Sequence, residues 1–307
     1  MTVPVLELGG THVTAALVEV DGDCAVLRRH TLPLSGDSGA EDLLATIARC
    51  ADAVAAPAGA VWAAAVPGPF DYATGLALFA GVGKFDALHG LRMGDELAAR
   101  LEAAPSRIVF LNDAEAFAVG EYAAGAGRSH ARMVGVTLGT GIGSAFLAGG
   151  AAVSSGDDVP PDGHVHRLTH EGRPIEESVS RRAILTAYAR RSASSAGTPA
   201  VDVREIAAFA RAGDAAATEV LADAFGALGQ MLAPWLVRFR ATCLVVGGSM
   251  TGSWDVIAPP LVAALRDGGA GDVGGTRLHV AVAQHPHDAA LFGAARHAVR
   301  VMMETTT

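Results

Sequence analysis

The sequence predicts an α/β chain of two lobes. Three observations carry this. Strand patterns and helical patterns form one block of sheet plus helices and then a second. A strand, a glycine turn and a strand meet at Leu8-Gly9-Gly10-Thr11 and again at Leu138-Gly139-Thr140-Gly141, which points to a duplicated architecture with facing halves. The length of 307 residues, half of them hydrophobic, exceeds what one small core holds.

Residues 3–8 read as a buried strand. Val13, Ala15, Leu17 and Val20 mark a second strand, closed by Asp21-Gly22, and residues 24–32 a third. Tight turns join only antiparallel neighbours, so these three form a meander. Residues 41–55 have helical spacing through Leu43, Leu44, Ile47, Ala51 and Val54. Residues 60–66 are apolar throughout and predict a central strand, which Pro67-Gly68-Pro69 stops. A helix at 93–101, a buried strand at 107–111 and a helix at 114–123 follow. After a loop at 125–129, the strand 133–138, the turn 139–143 and the strand 144–147 repeat the opening pattern.

Residues 149–171 are polar, rich in Gly and Pro, and hold three histidines; they read as an extended active-site loop. Helices are predicted at 176–191, 203–211 and 214–240, with Pro234 kinking or breaking the last. Residues 192–195 read as a short flexible stretch. Residues 243–246 are a buried strand running into Gly247-Gly248-Ser249. Residues 254–265 are helical apart from Pro259-Pro260, 277–282 are a last strand, and 288–302 a closing helix. Phe209, Phe225, Trp235 and Phe239 are expected in the core.

Composition narrows the function. The net charge is −9 and no basic run is visible, which argues against a nucleic-acid partner. Cys24, Cys50 and Cys243 form no CxxC pair, as expected of a reducing compartment without disulfides. Met1-Thr2-Val3-Pro4 begins no leader pattern, and no apolar run is read as reaching the length of a spanning helix. A cytoplasmic protein with no membrane partner is expected.

The glycine turns are candidate phosphate sites, because backbone N–H groups exposed by glycine approach phosphate oxygens without hindrance from a Cβ. Gly9-Gly10-Thr11 and Gly139-Thr140-Gly141 each add a hydroxyl, and Gly247-Gly248-Ser249 could hold a nucleoside. None is a Walker A loop or a dinucleotide GxGxxG within a βαβ unit. Asn112-Asp113 ends one strand and precedes a helix. On spacing alone a helix N-cap is the stronger reading. A carboxylate at the C-terminal edge of a sheet could instead serve as a base toward a bound hydroxyl.

Seven segments, in order along nearly the whole chain, resemble the ROK family of sugar kinases and related repressors, within the actin-like ATPase superfamily. They are Leu8-Gly9-Gly10-Thr11; Pro67-Gly68-Pro69-Phe70-Asp71 with Thr74-Gly75; Leu111-Asn112-Asp113-Ala114-Glu115-Ala116 with Gly120-Glu121; residues 138–143; Gly163-His164; Ile175-Glu176 with Ser180; and Val246-Gly247-Gly248-Ser249. The resemblance implies a two-lobed actin-like (ribonuclease H-like) fold. It implies residues 1–113 plus 288–307 as one lobe and 114–287 as the other, with nucleotide and sugar in the cleft between. It also implies ATP and Mg2+ as cofactors, a homodimer, and phosphorylation of a hexose or amino sugar, with a sugar 6-phosphate as product. Asp113 would be the catalytic base. Asn112, His164, Glu176 and Gly68 would bind the sugar. Gly9, Gly10, Thr11, Gly139, Thr140, Gly141, Gly247, Gly248 and Ser249 would bind the nucleotide. The family's repressors carry an N-terminal helix-turn-helix, whereas this sequence opens on its first strand, which favours the kinase branch.

Four departures stand out. Glu7 replaces the family's Asp, which holds Mg2+ through water. Gly172-Arg173-Pro174-Ile175 replaces a CxCGxxGC zinc cluster, so no structural zinc of that type is expected. Pro161 replaces a glutamate three residues before His164, and Ala80-Gly81-Val82-Gly83-Lys84-Phe85 replaces NLPGW. Each of the last two changes removes an expected sugar contact. Two further readings stay within the family: a polyphosphate donor, for which the net charge offers no basic track, and a sugar-binding regulator without turnover. A metal-dependent hydrolase is the rival enzyme class. It would use His164, His166 and His170 with Glu171, or His285, His287 and Asp288, and it needs His164 and His166 on one face of a strand.

Overall fold

The computed structural model describes residues 1–192 and 201–305. Of the stretch expected to be flexible, residues 193–195 lie outside the described residues. The chain forms two compact units, Met1–Gly125 with His287–Thr307, and Ala126–Pro286. The break falls at Gly125 rather than at residue 113. The reason is that the helix Asp113–Ala124 packs along the closing helix Ala289–Thr305.

The first unit holds a five-stranded sheet in the spatial order Ala25–Pro33, His12–Glu19, Thr2–Leu8, Val61–Val66, Arg107–Asn112. The first three strands run antiparallel and the last two parallel to Thr2–Leu8. Both faces of the sheet are covered, which is why Thr2–Leu8 reads as an apolar run. Leu6 and Leu8 point toward the helix Ala40–Asp52, which contributes Leu43, Leu44 and Ile47 to a core shared with Trp62, Phe79 and Phe85. Val3 and Val5 point to the other face, where Ala63 and Ala65 meet Leu291, Phe292 and Ala295 of the closing helix. Each large side chain fully removed from water contributes about 1.5–3 kcal/mol.

The second unit repeats the order: Ala151–Ala152, Ile142–Ala148, Arg132–Leu138, Cys243–Gly247, His279–Val282. Again the first pairings are antiparallel and the last two parallel. The helix Ala215–Phe239 packs against Trp254–Asp267. Contrary to the sequence reading, Ala215–Phe239 is long and apolar enough to cross a membrane. Its Leu221, Phe225, Leu228, Leu232, Leu236 and Phe239 are buried in the core of this unit, which accounts for the apolar composition.

Other sequence expectations give way to local geometry. Residues 176–191 form two helices, Glu176–Val179 and Arg181–Ser192. Ser180 between them is extended, and its hydroxyl accepts from Ala183 N at 3.3 Å, so it restarts the helix. Neither Pro234 nor Pro259-Pro260 breaks a helix. Asp255 and Pro259 are both exposed, so the carbonyl that Pro259 leaves without a donor faces water. Phe209 is 38% exposed rather than in the core, and its ring stacks on Tyr188 at 6.0 Å.

Candidate active site

In the first unit the site begins with sheet register. Glu7 pairs with Ala65, and Ala65 with Leu111, so these residues form one row at the C-terminal end of the parallel strands. Asp113 follows two residues beyond Leu111. Glu7 shares its sheet face with Val3 and Val5 and is half-buried at the end of the strand. Burial pushes the Glu7 carboxyl up to about 7; the Asp113 carboxylate adds to the rise and the Arg29 guanidinium opposes it. Arg29 is itself paired with Asp288. The turn after Glu7 is closed by Gly9 N, which donates to His12 O at 2.9 Å.

Asn112 and Asp113 take different places at the start of the helix. Asn112 is the N-cap, its Oδ1 accepting from Ala114 N at 3.0 Å and Glu115 N at 3.3 Å. Asp113 opens the helix, and its Oδ1 accepts from Ala114 N at 2.9 Å. Burial raises the Asp113 carboxyl above its ordinary range, against the pull of the Ala114 N–H.

Tyr72 is the residue that sequence reasoning passed over. Its hydroxyl accepts from Asn112 Nδ2 at 3.0 Å and donates to Val66 O at 3.2 Å, which fixes the amide so that Oδ1 faces the helix. The only signal was its place after Pro69-Phe70-Asp71. Gly68 stands in the same loop, where an added Cβ would meet Tyr72 Oη at 3.6 Å.

The second unit gathers the other glycine turns. Gly248 has φ +90, and a Cβ there would overlap the backbone of Leu138, so only glycine fits between the Cys243–Gly247 strand and the turn beside it. Gly139 faces the Ser249 hydroxyl. Glu176 lies on this turn: its Oε1 accepts from Ile142 N at 3.0 Å, and a side chain on Gly141 would overlap it.

His164 sits between two short helical turns rather than on a strand, so it does not share a strand face with His166. The two rings stack at 5.1 Å. Burial, then His166, lowers the His164 pKa. Ser144 holds both neighbours of His164. Its buried hydroxyl donates to Gly163 O at 2.8 Å and accepts from Val165 N at 2.9 Å. His170 turns to Gln230 at 3.0 Å instead. Among the described residues no three His, Cys, Asp or Glu side chains form a metal-holding group, which leaves the hydrolase reading without support. Glu7 and Asp113 are both oxygen donors whose charges interact, a chemistry that fits a hard divalent cation such as Mg2+ keeping most of its water.

Residues 5–300 match the ROK family. The chain is 29% identical to a glucokinase of Thermotoga maritima over 280 residues, 83% of this chain and 84% of that one. It is 26% identical to an N-acetylmannosamine kinase of Escherichia coli over 303 residues, 96% and 97% of the two chains. A ROK family glucokinase of Streptomyces griseus, solved with glucose and AMPPNP, superposes with a TM-score of 0.75 at 22% identity, covering 98% of this chain and all of that one. The repeated five-stranded sheet with this order is the ribonuclease H-like unit of the actin-like ATPase fold. From sequence and fold together, this chain belongs to the ROK family.

Proposed function

We propose that this chain transfers the γ-phosphoryl group of ATP to a hydroxyl of a hexose or amino sugar, with Asp113 as general base. The chain is a sugar kinase in this reading, as are its glucokinase and N-acetylmannosamine kinase relatives. The observation that carries the mechanism is the state of Asp113. One oxygen is fixed by Ala114 N–H, and burial raises the carboxyl toward the range in which a base accepts a proton readily.

In the reaction the sugar oxygen attacks the γ-phosphorus and Asp113 takes its proton. The bond from phosphorus to the β,γ-bridging oxygen breaks, and ADP leaves with that oxygen. Gly9 and Gly139 close the two turns through their own N–H groups, and the N–H groups of Gly10 and Thr11 and of Thr140 and Gly141 hold phosphate oxygens and stabilise the developing charge. Asn112, Gly68, His164 and Glu176 orient the sugar, and Gly247-Gly248-Ser249 takes the nucleoside. Mg2+ bound with ATP would neutralise phosphate charge, with Glu7 holding it through water. The sugar 6-phosphate is the expected product and the cytoplasm the expected setting.

The test is ADP release with Mg-ATP against a panel of hexoses and amino sugars, beside Asp113→Asn. The variant is expected to lose about 100-fold or more in kcat while sugar affinity stays within a factor of about two. Near-normal kcat would remove Asp113 from the role of base. Wild-type protein that releases no ADP with any sugar would remove the kinase reading.

A further inference from the structure

The loop at residues 80–85 lacks the sugar-contacting residues of the family pattern, yet it brings a different group to the first glycine turn. Lys84 is the one lysine in the chain; every other basic side chain that is not histidine is arginine. A Cβ on Gly10 would stand 2.6 Å from Lys84 Nζ. The ammonium therefore occupies the space that a side chain at Gly10 would fill.

The loop is anchored so that it keeps this position. Phe85 N donates to Gly36 O at 2.7 Å, and the Phe85 ring is buried 5.5 Å from that of Phe79. Val82 N donates to Asp86 Oδ1 at 3.2 Å. The Lys84 stem packs where Gly36 has no side chain. Among the described residues no carboxylate forms an ion pair with Nζ. A cation without a carboxylate partner, beside the N–H groups of Gly10 and Thr11, is the chemical complement of a phosphate. Glu7 lies two residues before the turn, so a phosphate arriving here stands near a carboxyl group.

We propose that Lys84 is a catalytic phosphate-binding residue, its ammonium holding the phosphoryl group under transfer at the turn formed by Gly9, Gly10 and Thr11. The proposal rests on the kinase reading above. It gives the replaced loop a role at the phosphate donor in place of a role at the sugar.

A single lysine allows a test that does not depend on turnover. The full-length protein is treated with an amine-acetylating reagent, and modification of Lys84 is followed by mass spectrometry of its peptide. Mg-ATP at about ten times its Kd is expected to slow acetylation about tenfold, the fraction of sites left free. AMP, which has no β- or γ-phosphate, and glucose alone are expected to leave the rate unchanged. An unchanged rate in saturating ATP would overturn the proposal, and so would protection by glucose alone, which would put Lys84 at the sugar.

In turnover, Lys84→Ala is expected to lower kcat about 100-fold with the sugar KM little changed, and Lys84→Arg to recover part of the loss. A Lys84→Ala protein with wild-type kcat would also overturn it. The two readings separate cleanly. ATP protection in a protein that phosphorylates no sugar would sustain the phosphate site and remove the kinase reading. Sugar phosphorylation without protection would do the reverse.

Discussion

Glu7 and Asp113 end up as neighbours because two strands of one sheet deliver them to the same edge. The Glu7 carboxyl titrates at about 7 in the folded protein and near 4.5 when burial and the Asp113 charge are absent. The folded state thus holds the extra proton between these values. Its stabilising effect is full below about pH 4.5 and is lost as pH rises through 7. Glu7→Gln has no such proton to lose. It is expected to melt above the wild type at pH 8, by an amount worth at most about 3 kcal/mol, and level with it at pH 4. Parallel melting curves for the two proteins across this range would mean that Glu7 ionises as freely as in water. Ser144 is a second case of one atom with two duties. Ser144→Ala frees both residues flanking His164, so the sugar KM is expected to rise about five- to tenfold, the worth of roughly one hydrogen bond. The ATP KM should not move; a parallel rise in both constants would mark a general loosening of the unit instead. From the sequence, Asp113, Asn112 and Glu176 were legible as polar residues at strand ends and motif positions. Tyr72, Ser144 and Lys84 were not, since their partners are residues that only folding brings near.

At the scale of elements, the contact between Asp113–Ala124 and Ala289–Thr305 depends on two glycines. A Cβ on Gly120 would overlap the carbonyl of Ala289, and one on Gly293 would overlap that of Ala116. The two backbones therefore approach more closely than any pair of side chains permits. Gly293→Ala must push the helices apart and is expected to destabilise the protein by about 1–3 kcal/mol, read as a lower Tm. An unchanged Tm would mean that the helices can slide without cost. Helix existence was readable from periodicity at nearly every position, as in Leu43, Leu44 and Ile47 of Ala40–Asp52. Helix ends and breaks were less so. Proline rules placed a kink or break at Pro234 and an interruption at Pro259-Pro260, where each helix runs on, and missed the break at Ser180. A lost N–H bond costs little where the freed carbonyl faces water, and packing of the remaining turns then holds the helix.

At the scale of the whole molecule, two units carry the same sheet order, three antiparallel strands followed by two parallel ones. The first unit is completed only when the last helix returns to it. Val3, Val5, Ala63 and Ala65 find their cover in Leu291, Phe292 and Ala295. By itself the sequence determined most of the strands and helices, the two glycine-turn junctions, the family, and the candidate base at a strand end. The elements and turns follow from short-range patterns of side-chain periodicity and turn residues, whereas the family and the candidate base came from the resemblance of seven motifs in order. Tertiary structure alone decided that Asn112 caps while the half-buried Asp113 acts on the charge of Glu7, that the helix after Asp113 belongs with the first unit, and that Lys84 fills the space at Gly10. Such facts depend on which distant segments share a sheet edge or a helix face. Burial and charge at one residue are set by those neighbours, and no local pattern encodes them.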